Sequence, residues 1–221
     1  MIQASQLHQT ECRRGAWGSP TLRILRWQAL AATMAAALTA GCGDALEPEA
    51  QVLAVSELLI LTRQPTAPPP PTATFHVFNS KITARSIVHD DAFNTPFLTI
   101  EFPTSCLASV DGQTLGQVDS VLVTIRPTAE QYGFTLSPLG LTLTNGCGAA
   151  AKLSFSRYGD LSVADGSSTY LDHAAYAAAL DLWRETGPDR WEVVQGSGPS
   201  GNDSLEGAVA GSGSYLLAAP R

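Results

Sequence analysis

The chain has 221 residues, 44% hydrophobic and 15% charged, with 13 Lys and Arg against 20 Asp and Glu. That length holds one domain of ordinary size beside a targeting segment and excludes two large ones. Gly (19) and Pro (14) are plentiful and aromatics modest at 7%, so the expected fold is mostly β, an antiparallel β-sandwich with one short helix in the C-terminal part.

At the N-terminus, Arg13, Arg14, Arg23 and Arg26 precede an Ala-rich apolar run from Ala29 to Ala40, with no acidic residue after Glu11 until the run has ended. This is the layout of an export signal, and the run is shorter than the roughly 20 apolar residues a helix needs to cross a bilayer. It ends in "LTAGCGD", where small residues let the backbone enter a narrow peptidase cleft and the Cys42 thiol is the nucleophile able to take a lipid. The stretch resembles a bacterial lipobox, with cleavage between Gly41 and Cys42, although Thr39 stands where an aliphatic residue is usual and Leu38 lies one step earlier. The resemblance implies a signal peptide over 1–41, a diacylglycerol on Cys42 and attachment to a membrane of the bacterial cell envelope, inner or outer. The alternative is an ordinary cleaved signal with an incidental cysteine.

Cleavage there removes four arginines and one glutamate and leaves 9 basic and 19 acidic residues, a formal charge of −10. Such a chain repels phosphate backbones, so nucleic acid is not an expected partner. Cys12 leaves with the signal and Cys42 takes lipid, so Cys106 and Cys147 remain as an even pair in an oxidising compartment and read as a disulfide. The alternative is two buried free thiols. No metal site is expected, because His76, His89 and His173 are scattered and neither cysteine has a ligand neighbour at short spacing.

Residues 42–71 read as a membrane tether and Pro-rich linker before a domain over 72–220. Within them, "QVLAVSELLILT" from Gln51 to Thr62 fits a buried strand or a short helix, with a strand or interface segment preferred. The four prolines Pro68 to Pro71 read as a stiff polyproline spacer. Strands follow at Thr72 to Phe78, Ala84 to His89, Phe97 to Phe102 and Ser120 to Ile125. Leu98, Ile100 and Phe102 share one face, as do Val121, Val123 and Ile125, while Thr99, Glu101 and Thr124 face the other way. In "YGFTLSPLGLTLTNGC", Phe134 and Leu136 alternate with Thr, as do Leu141 and Leu143. Ser137, Pro138 and Gly140 between them read as a structural turn, with Pro138 at its second position and Gly140 at its exit. Asn145-Gly146 signals a second tight turn before a strand at Ala151 to Tyr158. A helix at about Leu171 to Ala179 then precedes a hairpin, Leu180 to Glu185 and Arg190 to Val194, with Trp183 and Trp191 as anchors. A loop at Gly196 to Ser204 and a closing strand at Ser214 to Pro220 complete the domain.

"IEFPTSCL" (Ile100 to Leu107), "GFTLSPLGLTL" (Gly133 to Leu143) and "AKLSF" (Ala151 to Phe155) resemble, in order, the landmarks of the ZU-five domain, the β-sandwich of zonula occludens, netrin-receptor and ankyrin proteins. Ser105 and Cys106 stand where that family has Gly-Ala, and Gly148 to Ala151 where it has Pro-Val. The two departures fall at the two cysteines. The resemblance implies a structural or protein-contacting domain without catalytic residues or cofactor.

A search for chemistry finds no nucleophile elbow and no phosphate-binding loop. His89, Asp90 and Asp91 form the densest group of ligand types, but they lack the alternate acidic spacing and the Gly of a calcium loop. The expected function is a lipid-anchored envelope protein with a non-catalytic sandwich that is structural or binds protein or glycan. The alternative is an envelope glycan hydrolase using two of Asp90, Asp91, Glu101 and Asp160.

Overall fold

Alternation of apolar and polar residues along most of the chain produces strands with one buried face, and their pairing builds two stacked antiparallel sheets. A computed structural model describes residues 50–201 and 203–221. The expected export signal, with Gly41 and Cys42, lies outside the described residues. In chain order the elements are β1 (Val52–Ala54), a 3-10 turn (Val55–Glu57), β2 (Leu58–Ile60), β3 (Thr62–Arg63), β4 (Ala73–Phe78), β5 (Thr83–Val88) and β6 (Pro96–Phe102). Then come β7 (Leu107–Val110), β8 (Gln113–Thr114), β9 (Ser120–Pro127), β10 (Gly133–Ser137), β11 (Thr142–Leu143), β12 (Ala150–Ser154), β13 (Gly159–Asp160) and a second 3-10 turn (Leu161–Ala164). The chain ends with α1 (His173–Ala178), β14 (Asp181–Gly187), β15 (Arg190–Val193), β16 (Gly198–Pro199), β17 (Ser204–Ala208) and β18 (Gly213–Pro220).

The larger sheet has the order β1-β15-β14-β18-β10-β9-β4, with β2 also on β18, and the second has the order β16-β17-β12-β6-β5. A three-stranded sheet, β11-β7-β8, and the pair β13-β3 stand beside them. The expected faces hold: Leu98, Ile100, Phe102, Val121, Val123 and Ile125 are buried, whereas Thr99 and Glu101 are exposed. Helix α1 starts at Asp172, whose carboxylate caps it by accepting from the Ala175 amide at 2.7 Å, and the hairpin β14–β15 follows.

The larger sheet is buried on both faces where β18 runs through it. Tyr215, Leu217 and Ala219 enter the main core between the sheets, while Leu216 and Ala218 point outward into a second cluster with Leu58 and Trp183. That double burial explains the unbroken apolar run "YLLAAP". The outer cluster is closed by β1 and β2, so the boundary expected at residue 72 is corrected. Leu58 fills the outer cluster while Leu59 and Leu61 reach the main core, and β1 and β2 pair with β15 and β18. The prolines also belong to the domain: Pro70 is buried, and the Pro68 carbonyl is bonded from within.

Smaller corrections concern the turns. After β10 the chain leaves the larger sheet, because β11 pairs with β7. The Leu141 amide donates to the Pro138 carbonyl at 3.3 Å and Gly140 has φ +76, which puts Pro138 at the first position of the turn and Gly140 at the third. A Cβ on Gly140 would also run into the Asp111 carboxylate. The Asn145-Gly146 turn is closed by Cys147 N–H to Thr144 O at 3.1 Å. The strand expected to run to Tyr158 stops at Ser154, where the chain folds back and Gly159 N–H bonds Phe155 O at 2.8 Å.

Candidate functional site at one end of the sandwich

Four connections, 62–72, 89–95, 127–132 and 155–160, gather at one end of the sandwich, tied by bonds between them. Arg63 donates from Nη2 to Thr128 O at 2.8 Å and from its amide to Glu130 O at 2.7 Å, and the Gln64 amide donates to Tyr158 O at 2.9 Å. Loops held this way by a rigid scaffold are where β-sandwiches place binding residues.

Asp91 organises the 89–95 loop. Its carboxylate accepts from the Phe93 amide (3.1 Å), the Thr95 amide (2.9 Å), the Thr95 hydroxyl (2.5 Å) and the Tyr158 hydroxyl (2.8 Å). The Thr95 hydroxyl leads the effects that hold this carboxyl well below the usual range, against the opposing effect of desolvation. The loop thereby presents Phe93 outward, 70% exposed, with the Arg157 guanidinium 4.3 Å from the Phe93 ring centre and 5.5 Å from that of Tyr158. Arg157 has no hydrogen-bond acceptor among the described residues.

Behind the loop lies a buried polar and aromatic layer. His89 is 1% exposed, with Nδ1 2.7 Å from the Pro68 carbonyl and its ring 4.6 Å from Tyr158, 5.6 Å from Phe97 and 6.5 Å from Tyr132. A carbonyl only accepts, so Nδ1 carries the proton and Nε2 of the neutral ring bears the lone pair. Burial lowers the His89 pKa first; the Pro68 bond opposes this, the Arg63 charge adds to it, and the Asp91 charge opposes it. The ring stays neutral where an exposed histidine would titrate. Burial likewise pushes the Tyr132 hydroxyl far up, against the Arg63 charge, so it stays protonated. Arg63 Nε, His89 Nε2 and Tyr132 Oη are buried without a hydrogen-bond partner among the described residues. An open cavity of about 430 Å³ adjoins Arg63 and is lined also by Gln64, Pro65, Glu130 and Asp160.

A pH dependence follows from this layer. His89 has its folded pKa below its unfolded value of about 6.5, so its contribution to stability is complete above that pH and is lost as pH falls through 6.5 toward the folded value. Asp91, also depressed, adds a further loss below its own unfolded value of about 4. Thermal unfolding midpoints are therefore expected to decline between pH 7 and pH 5. The decline should be shallower in His89→Gln, and an unchanged profile in that variant would remove His89 from the account.

The remaining candidates from the sequence fall into separate places. Asp160 accepts from the Ser162 amide at 3.1 Å and the Ser162 hydroxyl at 2.5 Å, capping the second 3-10 turn. Glu101 lies on the exposed face of β6, five residues beyond Pro96 and so about 17 Å along the strand from the loop end. Asp90 is exposed. His76 faces solvent beside Phe78, and His173 pairs with Asp165 at 2.7 Å on the surface. Among the described residues no three His, Cys, Asp or Glu side chains are grouped to hold a metal ion, and no helix is long and apolar enough to cross a membrane.

Cys106 and Cys147 form a disulfide near the opposite ends of the same strands, with Cα atoms 5.2 Å apart. Nearby, buried Asn79 accepts from the Leu107 amide at 2.9 Å and donates to Leu107 O at 3.1 Å and Gly116 O at 3.2 Å, fixing the loops around the bridge. Arg63, Phe93, Tyr132, Arg157 and Tyr158 were not marked by the sequence. The available signal was Asp91 followed by Thr95, the spacing with which an Asp side chain collects the amides of its own loop.

The fold and these loops define a disulfide-linked antiparallel β-sandwich with a rigid aromatic and polar surface at one end. Compared with known proteins, the chain matches no family model, no curated protein and no solved structure.

Proposed function

We propose that this chain is a lipid-anchored protein of the bacterial cell envelope whose ZU-five-like sandwich is a non-catalytic binding module. Its partners are the membrane, through lipid on Cys42, and an envelope protein or surface polymer, through the loops of the sandwich. The observation that carries the reading is the Cys106–Cys147 disulfide, which suits an oxidising compartment and so agrees with an export signal ahead of Cys42. The ZU-five-like assignment rests on the resemblance of Ile100 to Leu107, Gly133 to Leu143 and Ala151 to Phe155 to the ordered landmarks of that domain. Since the sandwich takes up the chain from residue 51 onward, only Gly43 to Ala50 would separate it from the lipid, eight residues that extend about 28 Å at most. The binding surface would then work close to the membrane.

The test is fractionation of cells expressing the full-length protein. Wild type is expected in the membrane fraction with added acyl mass on Cys42, and Cys42→Ser in the soluble extracytoplasmic fraction, because anchoring of this kind rests on the acyl chains. An unmodified Cys42 in membrane-associated wild-type protein would remove the lipid anchor from the reading.

A further inference from the structure

The exposed ring of Phe93 is the feature of the loop end least explained by folding. Its ring is 70% exposed on an ordered loop, and among the described residues it is the one aromatic in the set of exposed large hydrophobic side chains. It is also held still. The Asp91 carboxylate bonds the Phe93 and Thr95 amides, the Thr95 hydroxyl and the Tyr158 hydroxyl, so the loop need not be ordered again when something binds. Arg157 lies over one face of the ring at 4.3 Å, which leaves the other face to solvent.

The exposed neighbours of Phe93 in its own loop, and of Arg157 in the adjoining one, are polar. Asp90, Asn94, Ser156 and Arg157 are all exposed, and the side chains of Asp90, Asn94 and Arg157 have no hydrogen-bond partner among the described residues. Carboxylate and amide together offer both acceptors and donors. A stable protein interface needs an apolar core within about 800 Å² per partner. Here the apolar element is a single ring on a loop end that also exposes hydrogen-bonding groups. That arrangement matches a pyranose whose substituents are equatorial, since its axial C–H bonds form a flat apolar face and its hydroxyls, at the rim, both donate and accept. Nucleic-acid bases also stack on aromatic rings, but the formal charge of −10 beyond the predicted cleavage site opposes their phosphates.

We propose that the loop end around Phe93 binds a β-linked pyranose polymer of the cell surface, with a sugar ring stacking on the open face of Phe93, Asp90 and Asn94 bonding its hydroxyls, and Arg157 bracing the aromatic ring from behind. This rests on the reading of the sandwich as an envelope binding module and names the chemistry of its ligand. An α-linked chain of the same sugar bends away after one ring and should bind more weakly.

The experiment is calorimetric titration of the full-length protein in detergent with three probes: the β-1,4-linked tetramers of N-acetylglucosamine and of glucose, and the α-1,4-linked glucose tetramer. Saturable binding of at least one β-linked tetramer is expected, weakened about tenfold or more in Phe93→Ala. Arg157→Ala should weaken it too, while Phe93→Trp should retain it. Phe93→Ala should keep the wild-type unfolding midpoint, because the ring is exposed. The proposal is overturned if wild type binds neither β-linked tetramer, if Phe93→Ala binds as tightly as wild type, or if the loss in Phe93→Ala is confined to capture of an envelope protein. A membrane-anchored protein that binds no tetramer would sink this inference and leave the anchoring in place. Release of the wild-type protein from membranes together with tetramer binding would do the reverse.

Discussion

Replacing Trp183 by Ala is expected to lower the free energy of unfolding by about 3 to 5 kcal/mol, the range for emptying a buried Trp site. The indole is fully buried on the outer face of the larger sheet, against Leu58, Leu216 and Ala218, and its Nε1 donates to Ala218 O at 2.9 Å. Leu53, Ile60, Trp191 and Val193 cover the rest of the cluster. The loss falls on one region, because Trp183 is what β1 and β2 close over. Limited proteolysis of Trp183→Ala should therefore cut first within residues 51–63, while the main core remains protected. Trp183→Phe keeps much of the apolar contact and loses the donor, so its cost should be clearly smaller. Urea unfolding of the three proteins measures both steps. A loss below about 1 kcal/mol in Trp183→Ala would mean that the outer cluster is an incidental contact.

The same region marks the limit of what the sequence alone disclosed. Period-two alternation identified the strands around Leu98 to Phe102 and Val121 to Ile125 because each has one wet face. Leu58 to Leu61 shows no alternation, because Leu58 is buried on one side of the larger sheet and Leu59 and Leu61 on the other. A run buried on both sides reads as strand or short helix alike, and the strand or interface segment preferred for it falls outside a domain whose regular alternation begins at Thr72. The disulfide was legible for a different reason: on the expectation of a cleaved export signal and a lipid on Cys42, Cys106 and Cys147 had only each other. The loop end was mostly illegible. Arg63, His89, Phe93, Tyr132 and Tyr158 are spread over nearly a hundred positions, and what joins them is loop closure. The partner of His89 is a proline carbonyl, which leaves no mark in a sequence. In the turn at Ser137, Pro138 and Gly140, residue preferences identified the turn, but its register depended on which amide reached which carbonyl.

Removing the disulfide, as Cys106→Ala with Cys147→Ala, is expected to cost about 4 to 5 kcal/mol, most of it through the unfolded chain. The two segments it joins are adjacent in the native state without it. Leu143 pairs with Leu107, the Thr144 amide donates to Cys106 O at 2.8 Å, and the Thr144 hydroxyl donates to Ser105 O at 3.1 Å. The bridge closes a sequence separation of 41 residues, for which loop-closure entropy alone gives about 4 kcal/mol. Cys106 is fully buried, so a further small loss comes from the missing sulfur contacts. Because the unfolded chain is the state that changes most, the double variant should also show a steeper dependence of stability on urea than the oxidised protein, as a more expanded unfolded ensemble exposes more surface. Reduced wild-type protein should behave as the double variant does. If stability falls while the urea slope stays unchanged, the bridge acts through native packing around Cys106; if neither changes, the pairing of β7 with β11 holds this end of the sandwich unaided.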